Sequence, residues 1–406
     1  MRRVAITGMG IVSPIGNDLA TVKAALVEGR SGIRAMPEWA EFAGLRARVA
    51  GVAAEADPKR IPRRHRRTMG RVAVLGAFAA LDAAADAGLD AEALASDRTG
   101  AALGSTTGST SSLEQFFGDF VRSHGFLEQE GTLFMRVMSH TVAANVAALL
   151  GVRGQLLAPC SACASSTQAI GVGYQMIRDG YQDVMICGGA EEVHPSTAAV
   201  FDVVYAASRR YNDAPERTPR PFDRDRDGLV VSEGGAVVVL EALDQARARG
   251  AAIHAELLGY ATCCDVSHMT QPSREGMLHC MRHAVRSAGI EPRELDYINA
   301  HATGTQLGDS AEAQATAELV GDAVPVSSTK GCTGHTLAAC GAMEAIFCLL
   351  MMRDGFLAPT RNLEAVAEDC KGIAHVQRLT AAAPRLVLTN NFAFGGVMAS
   401  LVLGKV

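Results

Sequence analysis

The chain has 406 residues, 48% hydrophobic and 20% charged, with a formal net charge of −5. That balance is enough for a large core and argues against a uniformly basic nucleic-acid binder. Its ten cysteines are scattered rather than spaced as a secreted disulfide framework, and Cys187, Cys340 and Cys348 lie in apolar runs as small core residues do. Aromatics make up only 5% and glycines number 41, so the core is expected to pack through small side chains and close backbone approaches.

In chain order, Arg2 and Arg3 precede an apolar run too short for a signal peptide. Residues 3–8 are read as a first strand that turns at Gly8, Gly10 and Pro14. No stretch reaches the roughly 18 uninterrupted apolar residues of a membrane span, and the expected location is the cytoplasm. A basic cluster follows at residues 59–71, then a helical pattern over 69–87 and a strand over 99–103. Helical periodicity returns over 163–178, and strands are expected over 183–188, 234–241 and 254–259. A helix over 275–289 leads to a strand over 296–300, a helix over 309–320 and a strand over 324–327. The last elements are a helix over 336–353 and strands over 385–390 and 398–403. Such alternation predicts an α/β fold.

The chain also repeats itself. Met176–Gly180 reads Met-Ile-Arg-Asp-Gly and Met351–Gly355 reads Met-Met-Arg-Asp-Gly, an offset of 175 residues. Each is followed by a strand, a double glycine (Gly188-Gly189, Gly395-Gly396) and a further apolar strand. The shared order predicts a duplicated α/β unit, with halves at residues 1–250 and 251–406 and a cleft between them.

Three segments carry reactive side chains. In Pro159–Ile170, small residues form a turn before a helix, placing Cys163 where the helix dipole and free N–H groups favour a thiolate. A buried structural cysteine is the competing reading, and Cys160 with Cys163 also spells a C-x-x-C redox couple or half a zinc site. No second C-x-x-C or suitably spaced histidine pair accompanies it, which argues against zinc. Asn299–Asp309 places His301 in a loop at a strand end, where α/β folds put catalytic groups and also ordinary hydrogen-bonded histidines. Ser327–His335 brings Lys330 and His335 to another strand end; the offset maps Cys163 to residue 338, within a turn of His335. A nucleophile and two imidazoles are the parts needed to accept an acyl group and hold a developing oxyanion, with no metal or organic cofactor.

Over essentially its whole length the sequence resembles the elongating β-ketoacyl-acyl-carrier-protein synthases of the thiolase superfamily. The resemblance rests on Val4–Gly16, on the Cys163, His301 and His335 segments, on Arg220–Gly228 (R-P-F-D-x-x-R-D-G) and on Asn391–Gly396. It implies a five-layered αβαβα thiolase-like fold and decarboxylative Claisen condensation of an acyl group on Cys163 with a malonyl thioester. It implies that His301 and His335 stabilise the enolate, with Lys330, Glu344 and Asp309 in support. Phe394 is expected to supply an oxyanion-hole N–H and a ring that gates the acyl pocket. The expected partners are acyl- and malonyl-loaded acyl carrier protein, docked on Arg63, Arg64 and Arg67, and a second chain. That second chain is an identical copy or a chain-length partner; alternatively, this chain is itself the non-catalytic or weakly catalytic chain-length partner of a ketosynthase heterodimer. Ala302 in the His301 segment and Val397-Met398 after the glycines depart from the family's usual H-G-T and G-G-T-N. Those departures point to specialised polyene or polyketide assembly. A degradative thiolase needs a second cysteine in the C-terminal glycine loop, and Asn390–Gly396 has none.

Overall fold

The first strand, β1 (Val4–Val12), is buried at every residue and runs through Gly8 and Gly10 instead of turning there. A Cβ on Gly8 would stand 2.2 Å from the Ala83 carbonyl oxygen, and one on Gly10 would stand 2.0 Å from that of Ala79. The glycines therefore let the helix Arg71–Asp86 lie directly on the strand, which corrects the expected turn. The computed structural model describes residues 1–125, 129–265 and 267–406.

The large sheet continues with β2 (Thr99–Gly104), β3 (Leu156–Leu157), β4 (Val184–Glu191) and β5 (Gly234–Ala242). The second half adds β6 (Ala255–Cys264), β7 (Tyr297–Asn299), β8 (Pro325–Ser327) and β9 (Ala374–His375). It ends with β10 (Leu386–Phe392) and β11 (Val397–Gly404). The spatial order is β9-β8-β7-β10-β11-β6-β1-β5-β4-β2-β3. On one side, β1-β5-β4-β2-β3 runs antiparallel, antiparallel, parallel, parallel; on the other, β6-β11-β10-β7-β8 repeats the same sequence of pairings. The two arrays meet where Val4, Ala5 and Ile6 pair antiparallel with Leu257, Glu256 and Ala255.

Strand alternation divides the apolar residues between the faces. Val237 and Val239 of β5 face Arg71–Asp86 and its neighbours, whereas Ala236, Val238 and Leu240 face inward. Between the arrays lie two helices, α1 (Ser165–Arg178) and α2 (Cys340–Asp354), in one cluster with Leu257, Val387 and Leu401 of the second array. Every residue of α2 from Cys340 to Met352 is buried, as a helix packed on all sides requires. The helices Arg274–Ala288 and Gln306–Val320 cover the outer face of the second array. The layers are thus helix, sheet, helix, sheet, helix. Among the described residues no helix is long and apolar enough to cross a membrane.

The repeat is visible in the backbone. Ala162 at φ 47° opens the 3-10 turn Ala162–Ala164 before α1, and Leu337 at φ 46° opens Leu337–Ala339 before α2. These residues are separated by the same 175 positions as the repeated motifs. The double glycines are not counterparts, however. Gly188-Gly189 lies inside β4, whereas Gly395 and Gly396, at φ 86° and 73°, make the turn between β10 and β11.

Candidate active site

Cys163 sits in the turn at the head of α1, on the inner face where the two halves meet, and is 6% exposed. A left-handed Ala162 costs roughly 1–2 kcal/mol. Ser165 braces the turn, its hydroxyl donating to the Ala162 carbonyl at 2.7 Å and accepting from the Ser161 N–H at 2.9 Å. The Cys163 sulfur lies 2.9 Å from His335 Nε2, and the backbone N–H groups of Cys163 and Phe394 also point at it. The His301 and His335 rings meet edge-on at 5.1 Å between centroids. Cys163, His301 and His335 each offer a ligand atom, all within 4.8 Å of one another. That soft, compact set is chemically able to hold a metal ion as well as an oxyanion.

The tautomer of His301 follows from its neighbours. Its Nδ1 receives the Lys330 ammonium at 3.4 Å and the Asn391 amide N–H at 3.4 Å. Both are donors, so Nδ1 is the acceptor and the ring proton resides on Nε2. Lys330 is fully buried and ion-paired with Glu344 from α2, whose other oxygen accepts from Asn391 Nδ2 at 2.7 Å. Burial pulls Lys330 down, but the charge and hydrogen bond of Glu344, together with Cys340 and Glu312, hold the ammonium above its ordinary value. Burial and the Lys330 charge keep both imidazoles neutral, well below the usual histidine range.

The thiol departs from the expectation drawn from the helix terminus. Burial pushes it up to about 12, although Lys330 and the two N–H groups pull the other way. Desolvation of a thiolate here exceeds the stabilisation one helix end provides. Iodoacetamide alkylation of Cys163 should therefore rise about tenfold per pH unit from pH 7 to 10. A plateau near pH 7, read by peptide mass mapping, would contradict this.

Two carboxyls brace the His301 loop from beneath. Asp309 accepts from the N–H groups of Thr303 at 3.0 Å, Gly304 at 3.1 Å and Phe222 at 2.8 Å, tying the loop to the Arg220–Gly228 segment. Burial raises Asp309 to about 6 against those donors. Glu312, one turn further along its helix, accepts from the His301 N–H at 2.8 Å and the Ala302 N–H at 2.7 Å. Burial raises it to about 8. Because that lies above the ordinary 4.5, its contribution to stability is present at acidic pH and is lost as pH rises towards 8. Glu312→Gln turns an amide donor towards one of the two N–H groups and should cost about 1–3 kcal/mol in denaturant unfolding at pH 7. The gap to wild type should narrow between pH 5 and pH 9; a pH-independent gap would exclude this titration.

Phe394 is 36% exposed, its ring 5.6 Å from Phe201, beside a cleft of about 340 Å³ that Cys163, His301 and His335 also line. The turn that carries Phe394 needs glycine at 396, where a Cβ would stand 1.9 Å from the Asp265 carbonyl oxygen. Arg63, Arg64 and Arg67 are exposed on or next to the short helix Arg63–Arg66, outside the site cluster, and among the described residues none of the three is in an ion pair. Arg60 and Arg71 of the same basic segment are paired with Asp82 and Glu233. Cys160 is exposed with its thiol on the Thr106 carbonyl at 3.2 Å, and all ten cysteines are free thiols.

The sequence alone assigns no role to Asn391 or Glu312. A paired asparagine inside an apolar strand, Asn390-Asn391, was the available signal for the first. A glutamate among the small residues of the Gln306–Val320 helix was the only signal for the second.

Residues 1–246 match the family model of the β-ketoacyl synthase N-terminal domain, and residues 254–364 match that of the C-terminal domain. The chain is 40% identical over 409 residues to 3-oxoacyl-[acyl-carrier-protein] synthase 1 of Haemophilus influenzae, covering 100% of this chain and 99% of that protein. It superposes on a β-ketoacyl synthase from Burkholderia phymatum with a TM-score of 0.97 at 42% identity, and both chains are fully covered. It also resembles the ishigamide ketosynthase/chain length factor, with a TM-score of 0.93 at 32% identity, covering 100% of this chain and 99% of that one. With both halves matched in order and the Cys163 turn facing two neutral imidazoles, the chain belongs to the β-ketoacyl synthase family.

Proposed function

We propose that this chain is a 3-oxoacyl-[acyl-carrier-protein] synthase of fatty-acid or specialised polyene or polyketide assembly. In this reading Cys163 is the nucleophile and His301, His335 and Lys330 serve the condensation. The observation that carries it is the Cys163 thiol on His335 beside a His301 whose Nε2–H is free of its buried neighbours.

In the first half-reaction the Cys163 sulfur loses its proton to water and attacks the acyl thioester carbonyl, with the Nε2–H of His335 donating to it. The N–H groups of Cys163 and Phe394 hold the carbonyl oxygen. The carrier thiolate leaves and takes up a proton from water. In the second, a malonyl thioester loses CO₂ and its electron pair forms an enolate, whose oxygen accepts from the Nε2–H groups of His301 and His335. The enolate carbon attacks the acyl-enzyme, the 3-oxoacyl thioester forms, and Cys163 departs as a thiolate that is reprotonated. Asn391 and Lys330 keep His301 in the donating tautomer, Glu344 keeps Lys330 charged, and Glu312 and Asp309 fix the loop.

The reading includes a cytoplasmic location, halves at residues 1–250 and 251–406, and a dimer, as a homodimer or with a chain-length partner. The presence of Cys163 argues against a non-catalytic partner role. The exposed guanidinium groups of Arg63, Arg64 and Arg67 suit an acidic carrier protein. Reversing all three to glutamate should raise KM for carrier-bound substrates about tenfold or more while leaving small thioester mimics within twofold. Equal losses on both substrates would exclude docking.

Intact-mass analysis with acyl carrier proteins of several chain lengths, followed by malonyl carrier protein, tests the whole reading. An adduct on Cys163 that disappears as a two-carbon-longer 3-oxoacyl product forms is expected. Absence of an adduct from folded protein with every carrier would overturn it.

A further inference from the structure

A second pair of sulfurs lies outside the condensation site, on the far side of β6. Ala261 and Cys263, two residues apart on that strand, face the same way, towards the helix Arg274–Ala288. From that helix Cys280 points back at them. It is buried, its sulfur 3.7 Å from the Ala261 carbonyl oxygen and 3.7 Å from Ser400 Oγ, and its thiol is hydrogen-bonded to that of Cys263. Cys263 itself is half-buried and lines a surface cleft with Arg286 and His283 of the same helix. One sulfur is therefore open to a small reagent, and its buried partner waits in contact behind it.

We propose that Cys263 and Cys280 form a peroxide-sensitive dithiol that closes to a reversible disulfide between β6 and its covering helix. The Cys263 thiolate attacks one oxygen of a hydroperoxide, giving a sulfenic acid and expelling the other oxygen as water or an alcohol. The Cys280 sulfur then displaces hydroxide from Cys263, which leaves as water with the Cys280 proton. Two thiols become one disulfide while the peroxide is reduced.

Three features favour this pair over the other thiols. The hydrogen bond from Cys280 holds Cys263 below the usual thiol range, and Arg286 supplies a cation in the same cleft. Burial pushes Cys163, Cys332 and Cys348 up. A resolving thiol in contact also outcompetes further oxidation of the sulfenic acid. Cys264, the next residue, pairs with Val397, and the Asp265 N–H donates to Gly396 at 2.7 Å, so the bridge would anchor the strand end that carries the Phe394 turn.

The inference does not depend on the condensation reaction, so the test uses full-length protein with Cys160→Ser and Cys163→Ala. After hydrogen peroxide, intact mass should fall by two hydrogens. Digestion should yield a Cys263–Cys280 cross-linked peptide, and dithiothreitol should reverse both. With Cys280→Ala added, Cys263 should instead gain one oxygen and be trapped by dimedone. A Cys263–Cys264 bridge, an intermolecular dimer, or oxidation of other cysteines with Cys263 untouched would overturn the proposal.

Discussion

Cys163→Ala will lower condensation by roughly 10⁴-fold or more, because no other group can carry the acyl chain between the two half-reactions. Cys332 and Cys340 are buried, and Cys160 is turned to the Thr106 carbonyl. No acyl adduct should form. Decarboxylation of malonyl carrier protein needs only the imidazole donors, and His301 keeps its tautomer without the sulfur because Lys330 and Asn391 set it. Evolution of CO₂ with an acetyl product should thus persist in the variant. Retention of condensation within tenfold of wild type would remove Cys163 from the mechanism. Loss of decarboxylation as well, in a folded protein, would show that the sulfur and the histidines act as one unit.

Lys330→Met is the second large effect, and it reads on stability first. Lys330 and Glu344 are 1% and 2% exposed, so removing the ammonium leaves a carboxylate in the core with Asn391 as its remaining side-chain donor. Breaking such a pair costs about 3–5 kcal/mol, most of it the penalty of the stranded charge. Because burial already raises Glu344, the stranded carboxyl can take up a proton, and the loss should shrink as pH falls. Lys330→Met with Glu344→Gln removes both charges and should recover part of the stability, but not the malonyl decarboxylation rate, since His301 then lacks its charged donor. Denaturant unfolding of the three variants at pH 5.5 and 8 measures the first effect, and CO₂ release measures the second. A single variant as stable as wild type at pH 8 would contradict the buried ion pair.

Much of this arrangement is local and therefore legible in sequence. Strands β4, β5 and β11 are apolar runs bounded by turns, and α1 and α2 follow small-residue turns, so period and punctuation locate them within a few residues. Helices such as Leu19–Glu28, Thr110–Ser123 and Pro195–Val203 escaped notice, because each buries only one to three residues and leaves a weak apolar stripe. The repeat is legible too, since duplication preserves order, and its offset carries through to Ala162 and Leu337.

Whatever depends on distant neighbours was not legible. Gly8 and Gly10 read as a turn until Ala79 and Ala83, seventy residues away in sequence, come against them and leave no room for a side chain. The thiol of Cys163 reads as activated by its helix end until the surrounding protein excludes water, and desolvation then outweighs the dipole. Glu312 and Asn391 acquire meaning only when β7, β8, β10 and α2 bring His301, Lys330 and Glu344 around them. By itself, the sequence determined the order of the main apolar strands and of the helices between them, the duplication, and which segments converge on the site. Tertiary structure decided the protonation, tautomers and partners of their side chains, because those depend on the exclusion of water and on charges a few ångströms away in space.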